Sequence, residues 1–172
     1  MDLNILITGS EGYIGQRLIS ALEDNYKIVG VDIRPPSIQL YPYYEMDIRD
    51  TQLSDIMAKH NITHVVHLAS VMQASDERAR DYDIDVNGTA NVLHCCIDNQ
   101  VKHITVTSSG AAYGYHADNP DWLNEQDPLR GNDHFAYSQH KRLIEEMLAE
   151  YRVTHPALHQ LVLRPGTVLG KH

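Results

Sequence analysis

Residues 5–22 read ILITGSEGYIGQRLISAL. An apolar run gives way to three glycines spaced three apart, Gly9, Gly12 and Gly15. A stretch follows whose apolar positions 14, 18, 19 and 22 recur with helical spacing. The segment predicts a strand over 4–8, a tight turn, and a helix over 13–24. Glycine at three places in one turn removes side chains where backbone must bend or come close to something else. KIVGVD at 27–32 predicts a second apolar strand. It ends in Asp32, seventeen residues after Gly15.

The same alternation continues outward. A helix is predicted over 51–60, with Thr51 as its N-cap, then a strand over 64–69, a helix over 85–99 and a strand over 103–108. A long helix over 135–152 and a strand over 160–165 complete the pattern. Short strands that are near-continuous Val/Ile/Leu and alternate with helices define the α/β class. They predict a doubly wound, mostly parallel sheet with helices on both faces, built as one domain over 1–172. Two loops are long, 33–50 and 110–134, and loops of that length in a compact domain are usually functional.

Composition narrows the function classes. An apolar fraction of 42% supports a packed core, and a net charge of −9 without like-charge blocks argues against nucleic acid or an anionic membrane surface as partner. No apolar run is long enough for a membrane span, and the first residues carry no signal-peptide pattern. Cys95 and Cys96 are adjacent in a predicted helix and read as small buried residues of a reducing, cytoplasmic protein. His60, His64 and His67 do not form a ligand set, since positions 64 and 67 fall on opposite faces of a strand. His67 is expected to be satisfied by backbone.

A glycine turn between an apolar strand and a helix, followed by a strand ending in an acid, is the arrangement that seats a dinucleotide. Gly9 lets the chain turn, Gly12 lets backbone approach a pyrophosphate, and Gly15 lets the helix pack against the strand. Tyr13 and Ile14 open the helix, whose N–H groups and partial positive charge face the phosphates. These five positions are cofactor-binding candidates. Asp32 is placed to accept both ribose hydroxyls and to repel a 2′-phosphate. Arg34 is the residue that would grip such a phosphate. Asp32 carries more weight, so NAD is the expected cofactor and the sheet is of the Rossmann type.

FAYSQHK, residues 135–141, places Tyr137 and Lys141 one helical turn apart. A phenol is a poor base at neutral pH, and an ammonium on the same face stabilises its ionised form. TVTSSGAAYG, residues 105–114, ends the fourth large strand with Ser108 and Ser109 at the carboxyl edge of the sheet. Open α/β folds bind their ligands at that edge.

TGSEGYIG, VD at 31–32, MDIRD at 46–50, HLAS at 67–70, DVNGTAN at 85–91, SSGAAYG at 108–114 and YSQHK at 137–141 follow one another in order along the whole chain. In this the sequence resembles the extended short-chain dehydrogenase/reductases, and more narrowly the NAD-dependent epimerase/dehydratase family acting on nucleotide sugars. The resemblance implies Tyr137 as catalytic base, Lys141 as its partner and Ser109 as the substrate-binding hydroxyl. It implies Asp47 and Ile48 at the adenine, and Leu68, Ala69 and Ser70 along the middle of the cofactor. Asn87 is a helix position near the cofactor, and Asp47 has a second reading as a loop carboxylate or cap.

The resemblance also implies a homodimer through the helices 85–99 and 135–152, and a sugar and its nucleotide read mostly by the C-terminal portion expected to be absent and by loops 71–84 and 110–134. Departures from the family pattern are Gly110 and Ala111, where the dehydratases carry an Asp-Glu pair, and Ser138 and His140 inside the Tyr–Lys motif. Thr167 stands for Asn and Lys171 for Pro in RPGTVLGKH. Family members continue well past this length, so the C-terminal substrate domain is expected to be absent here. Three activities remain open at this point: an epimerase, a simple NAD-linked dehydrogenase or reductase of a sugar or small alcohol, and a non-catalytic NAD-binding module.

Overall fold

The computed structural model describes residues 3–36, 40–71 and 75–170. Parts of the loops at 33–50 and 71–84, and Lys171, lie outside them. Six strands form one parallel sheet: β1 Asn4–Thr8, β2 Lys27–Asp32, β3 Tyr43–Glu45, β4 His64–His67, β5 His103–Thr107 and β6 His159–Leu163. Their order across the sheet is β3-β2-β1-β4-β5-β6. The chain winds outward from β1 through β2 to β3, then returns to β4 on the other side of β1. That reversal opens a crevice at the carboxyl ends of β1 and β4.

Register explains how the faces are filled. Leu6 pairs with Val29 and Val65 in the ladder, while Ile5 pairs with Ile28 and Ile7 with Val66. Successive side chains point to opposite faces. Leu6, Val29, Val65, Ile104 and Val106 therefore join the core under α2 Leu53–Lys59, α4 Gly88–Asp98 and α5 Ala136–Thr154. Ile5, Ile7 and Ile28 pack instead under α1 Tyr13–Leu22, through Ile19, Leu18 and Leu22. Helices thus lie on both faces, and each buried Leu or Ile contributes about 1.5–3 kcal/mol. Cys95 and Cys96 are free and buried in the larger core. Burial pushes the Cys95 thiol up to about 11 and Cys96 higher still.

Several local expectations are corrected. The loop 33–50 contains β3, whose residues pair with Gly30, Val31 and Asp32. A three-residue edge strand takes its order from the neighbour it pairs with, so no sequence periodicity marks it. Thr51 does not cap α2. Gln52 immediately precedes the helix and Asp50 Oδ1 accepts the Gln52 N–H at 2.9 Å. The helix expected over 85–99 begins earlier, with α3 Arg78–Tyr82, and reaches α4 through a π-helical turn at Asp83–Asn87. Such a turn holds one residue more than an α-turn and is often found at functional sites. A short 3₁₀ turn, Gly110–Tyr113, occupies the start of the loop after β5. Among the described residues no helix is long and apolar enough to cross a membrane.

Candidate functional site

The glycine turn lies over the crevice. Gly9 has φ +70°, and its N–H reaches the Val31 carbonyl at 2.8 Å. A Cβ there would lie 2.7 Å from the Ala69 nitrogen, so the turn presses directly on the end of β4. At Gly15 a Cβ would lie 2.5 Å from the Gly9 carbonyl oxygen and 2.6 Å from that of Ser10. Gly12 is different. Apart from the Gly9 oxygen at 3.0 Å, its Cβ would meet only Arg34 Nη2, at 3.8 Å. Gly9 and Gly15 are small because protein backbone fills their space, whereas Gly12 is bare toward the crevice. The N-cap of α1 is Gly12, which has no side chain to cap the helix, and the first turn holds no acid. The helix end is left to face an anion.

Asp32, at the end of β2, is buried. Oδ2 accepts the Glu11 N–H at 2.9 Å and Oδ1 accepts the Arg34 N–H at 3.1 Å. Backbone thus fixes the carboxylate where β2 meets the turn. The Arg34 guanidinium closes on it at 3.3 Å with 56% of its side chain exposed. A contact of that exposure is worth about 0–1 kcal/mol and yields readily to a ligand.

The opposite wall comes from β5 and α5. Ser108 and Ser109 differ sharply in their partners. The Ser108 hydroxyl donates to Glu145 Oε1 at 2.5 Å, and Glu145 is gripped by Arg164 at 2.6 Å. Ser109 Oγ accepts the Ala111 N–H at 3.1 Å, capping the 3₁₀ turn and leaving its own proton to donate. Lys141 is 4% exposed, and its Nζ donates to Ser70 Oγ at 3.1 Å and to the Thr107 carbonyl at 3.2 Å. It stands 5.5 Å from the centre of the Tyr137 ring. Burial lowers the proton affinity of this ammonium, and Asp85 and Glu145 oppose that effect.

These walls enclose one cleft of about 830 Å³. Gly9, Gly12, Tyr13, Ile14 and Gly15 line its floor, with Asp32 and Arg34 at one end. Asp47 and Ile48 line the same end, Asp47 holding Arg49 through both carboxylate oxygens at 2.7–2.9 Å. Leu68, Ala69 and Ser70 line the middle, and Ser109, Tyr137 and Lys141 the far wall. Asn87 is not among the lining residues. It is exposed in the π-helical turn, its amide donating to Asp83 Oδ1 at 2.8 Å, while Ile84 of the same turn faces the cleft. Ile84, Met46 and Thr107 also line the cleft; Met46 and Thr107 lie within MDIRD and TVTSSGAAYG, where the sequence assigns them no role, and Ile84 lies in no motif. The segment from Pro165 to Val168 lines the cleft after β6, including Thr167, which stands where the family pattern has Asn.

His67 lies directly beneath. It is satisfied by two hydroxyls and not by backbone. Thr8 Oγ1 is 2.7 Å from Nδ1 and Thr89 Oγ1 is 3.1 Å from Nε2. Thr89 gives its proton to the Asp85 carbonyl, so Nε2–H donates to Thr89 and Nδ1 accepts from Thr8. Desolvation, then the Lys141 charge, bring the imidazole down to about 4, with Asp85 opposing.

The folded state therefore holds this proton more weakly than the unfolded chain does. The stabilisation is complete above pH 6.5 and is lost as pH falls toward 4, amounting to roughly 3 kcal/mol. Urea titrations at pH 7 and pH 4 should show a smaller acid loss in His67→Gln by about that amount. Equal losses in the two proteins would refute the assignment.

Fold and cleft together define a class: a Rossmann-type α/β domain in which a glycine turn, an acidic strand end and a Tyr–Lys pair share one crevice. The chain belongs to the NAD-dependent epimerase/dehydratase family, whose model matches residues 5–172. It is 32% identical to the N-acetyl-alpha-D-glucosaminyl-diphospho-ditrans,octacis-undecaprenol 4-epimerase of Escherichia coli, over 99% of this chain and 50% of that protein. It is 29% identical to the UDP-glucose 4-epimerase of Yersinia pestis, over 98% of this chain and 54% of that one. Among solved structures, the UDP-glucose 4-epimerase of Brucella ovis in complex with NAD superposes with a TM-score of 0.87 at 26% identity, covering 99% of this chain and 54% of that one. The chain spans about half the length of the curated relatives it matches.

Proposed function

We propose that this chain is the cofactor-binding portion of an NAD-dependent epimerase that inverts one carbon of a nucleotide sugar through a transient keto intermediate. The observation that carries the reading is the meeting of Ser109, Tyr137 and Lys141 with the glycine turn and Asp32 in one cleft. The cleft suits a dinucleotide, since Gly12 is bare toward it and, as the N-cap of α1, brings no side chain to the helix end. When bound, NAD supplies a reversible hydride acceptor beside the sugar. Asp32 holds the adenosine ribose once Arg34 swings clear, Gly12 and the α1 N-terminus hold the pyrophosphate, and Lys141 holds the second ribose.

Tyr137 takes the proton from the sugar hydroxyl and later returns it. The nearby Lys141 ammonium favours negative charge on the phenol oxygen, and Ser109 donates to the same substrate oxygen. Gly110 and Ala111 offer no acid–base pair for elimination of water, which favours epimerisation over dehydration. Ile97, Leu143, Met147 and Tyr151 leave partly exposed apolar surface on α4 and α5, and this supports a homodimer through those helices.

Calorimetric titration of the 172-residue chain should show NAD binding at least about tenfold tighter than NADP, because Asp32 and the neighbouring Glu11 oppose a 2′-phosphate. Binding of neither, or a preference for NADP, would overturn the cofactor assignment. In the complete protein, two sugar epimers should interconvert without accumulation of reduced cofactor. A dehydrogenase would accumulate it in step with product.

A further inference from the structure

Asp85 and His140 are buried beside Lys141, 2% and 3% exposed, and neither lines the cleft. Taking a carboxylate and an imidazole out of water costs several kcal/mol before their attraction is counted, and apolar residues in the same space would avoid that cost. His140 Nδ1 is 2.9 Å from Asp85 Oδ2. The other carboxylate oxygen, Oδ1, accepts the Val71 N–H at 2.8 Å and the Ser70 hydroxyl at 3.1 Å. Ser70 Oγ is in turn an acceptor for Lys141 Nζ.

These contacts have a fixed polarity. An ionised carboxylate only accepts, so three donors converge on Asp85. The single proton of Ser70 is spent on Asp85, which leaves the oxygen lone pairs turned toward Lys141. Of the three ammonium N–H groups, Ser70 and Thr107 take two, and the third remains for the cleft. We propose that Asp85 and His140 are positioning residues for the Lys141 ammonium: the Asp85 carboxylate, held by His140, orients Ser70 as an acceptor and keeps the lysine protonated in a buried place. The proposal rests on the reading that Lys141 works with Tyr137, and it extends that reading to two residues that touch neither substrate nor cofactor.

The other charged neighbours do not replace Asp85. Lys141 is faced by His67 from β4 and by Tyr137 and Glu145 from α5, and His67 is neutral over most of the pH range. Glu145 is already held by Arg164 through both oxygens at 2.6–3.0 Å. From α3, Asp81 and Tyr82 face His140, the two rings 5.7 Å apart, and Asp81 is bound to Ser75. Asp85 is the larger of the two carboxylate influences that oppose loss of the Lys141 proton, and it is the one joined to the ammonium through Ser70.

Nuclear magnetic resonance on the 172-residue chain tests this without cofactor or substrate. In histidine-labelled wild-type protein at pH 8, His140 should carry its proton on Nδ1. The Lys141 ¹³Cε titration should move down by about one pH unit, a tenfold loss of proton affinity, in Asp85→Asn. In His140→Asn, whose side-chain N–H stands where Nδ1–H stood, it should remain near the wild-type value. A bare Nδ1 in the wild type, or an unmoved Lys141 in folded Asp85→Asn, overturns the proposal.

If Asp85→Asn does not fold, the wild-type His140 proton decides alone. Calorimetry with NAD on the same wild-type sample keeps the two readings apart. NAD binding with an unmoved lysine removes only the positioning role, and a shifted lysine without NAD binding removes only the proposed function.

Discussion

Tyr137→Phe is expected to slow turnover of the complete protein by about 10²–10⁴-fold, the usual worth of a positioned general base. NAD affinity of the 172-residue chain should change less than about threefold, since only one hydroxyl is removed. The ring itself stays where it is. It packs at 6.3 Å from Phe135 and 5.5 Å from the Lys141 amine, contacts that phenylalanine keeps. Loss of turnover with binding intact therefore separates chemistry from assembly. Steady-state kinetics and calorimetry together read the result. Undiminished turnover would remove Tyr137 from the mechanism.

The second large effect concerns the glycine turn. Gly15→Val would set a branched side chain against the Gly9 and Ser10 carbonyl oxygens at 2.5 and 2.6 Å, where no flexible group can yield. The turn must open, at a cost of about 3 kcal/mol or more, and NAD binding should disappear with it. Gly12→Ala is the contrasting change. Its methyl group would find only the Gly9 oxygen at 3.0 Å and Arg34 at 3.8 Å, so the fold should melt within a few degrees of the wild type while NAD affinity falls by about tenfold or more. Thermal melts and calorimetry on the two variants distinguish scaffold from cradle. If Gly12→Ala binds NAD like the wild type, the pyrophosphate does not lie where we place it.

The sequence by itself determined the order of large elements, the parallel character of the sheet and the location of the glycine turn. Those features depend on local periodicity: apolar runs for strands buried on both faces, a 3.6-residue repeat for helices, glycine where side chains cannot fit. Tyr137 and Lys141 were legible for the same reason, since one helical turn joins them.

Tertiary structure alone decided the rest. β3 exists because β2 offers it a ladder, and Tyr43, Tyr44 and Glu45 have no pattern of their own. The resemblance singles out Ser109, but only the fold shows what Ser108 does: Glu145, 37 residues away, claims it and leaves Ser109 to the cleft. His67 finds its partners at Thr8 and Thr89, 59 and 22 residues distant, and Asp85 meets His140 across 55. Such pairings are set by which faces of separate elements pack together. A strand or helix records its own repeat, but not the neighbour whose polar group it must satisfy once water has been expelled.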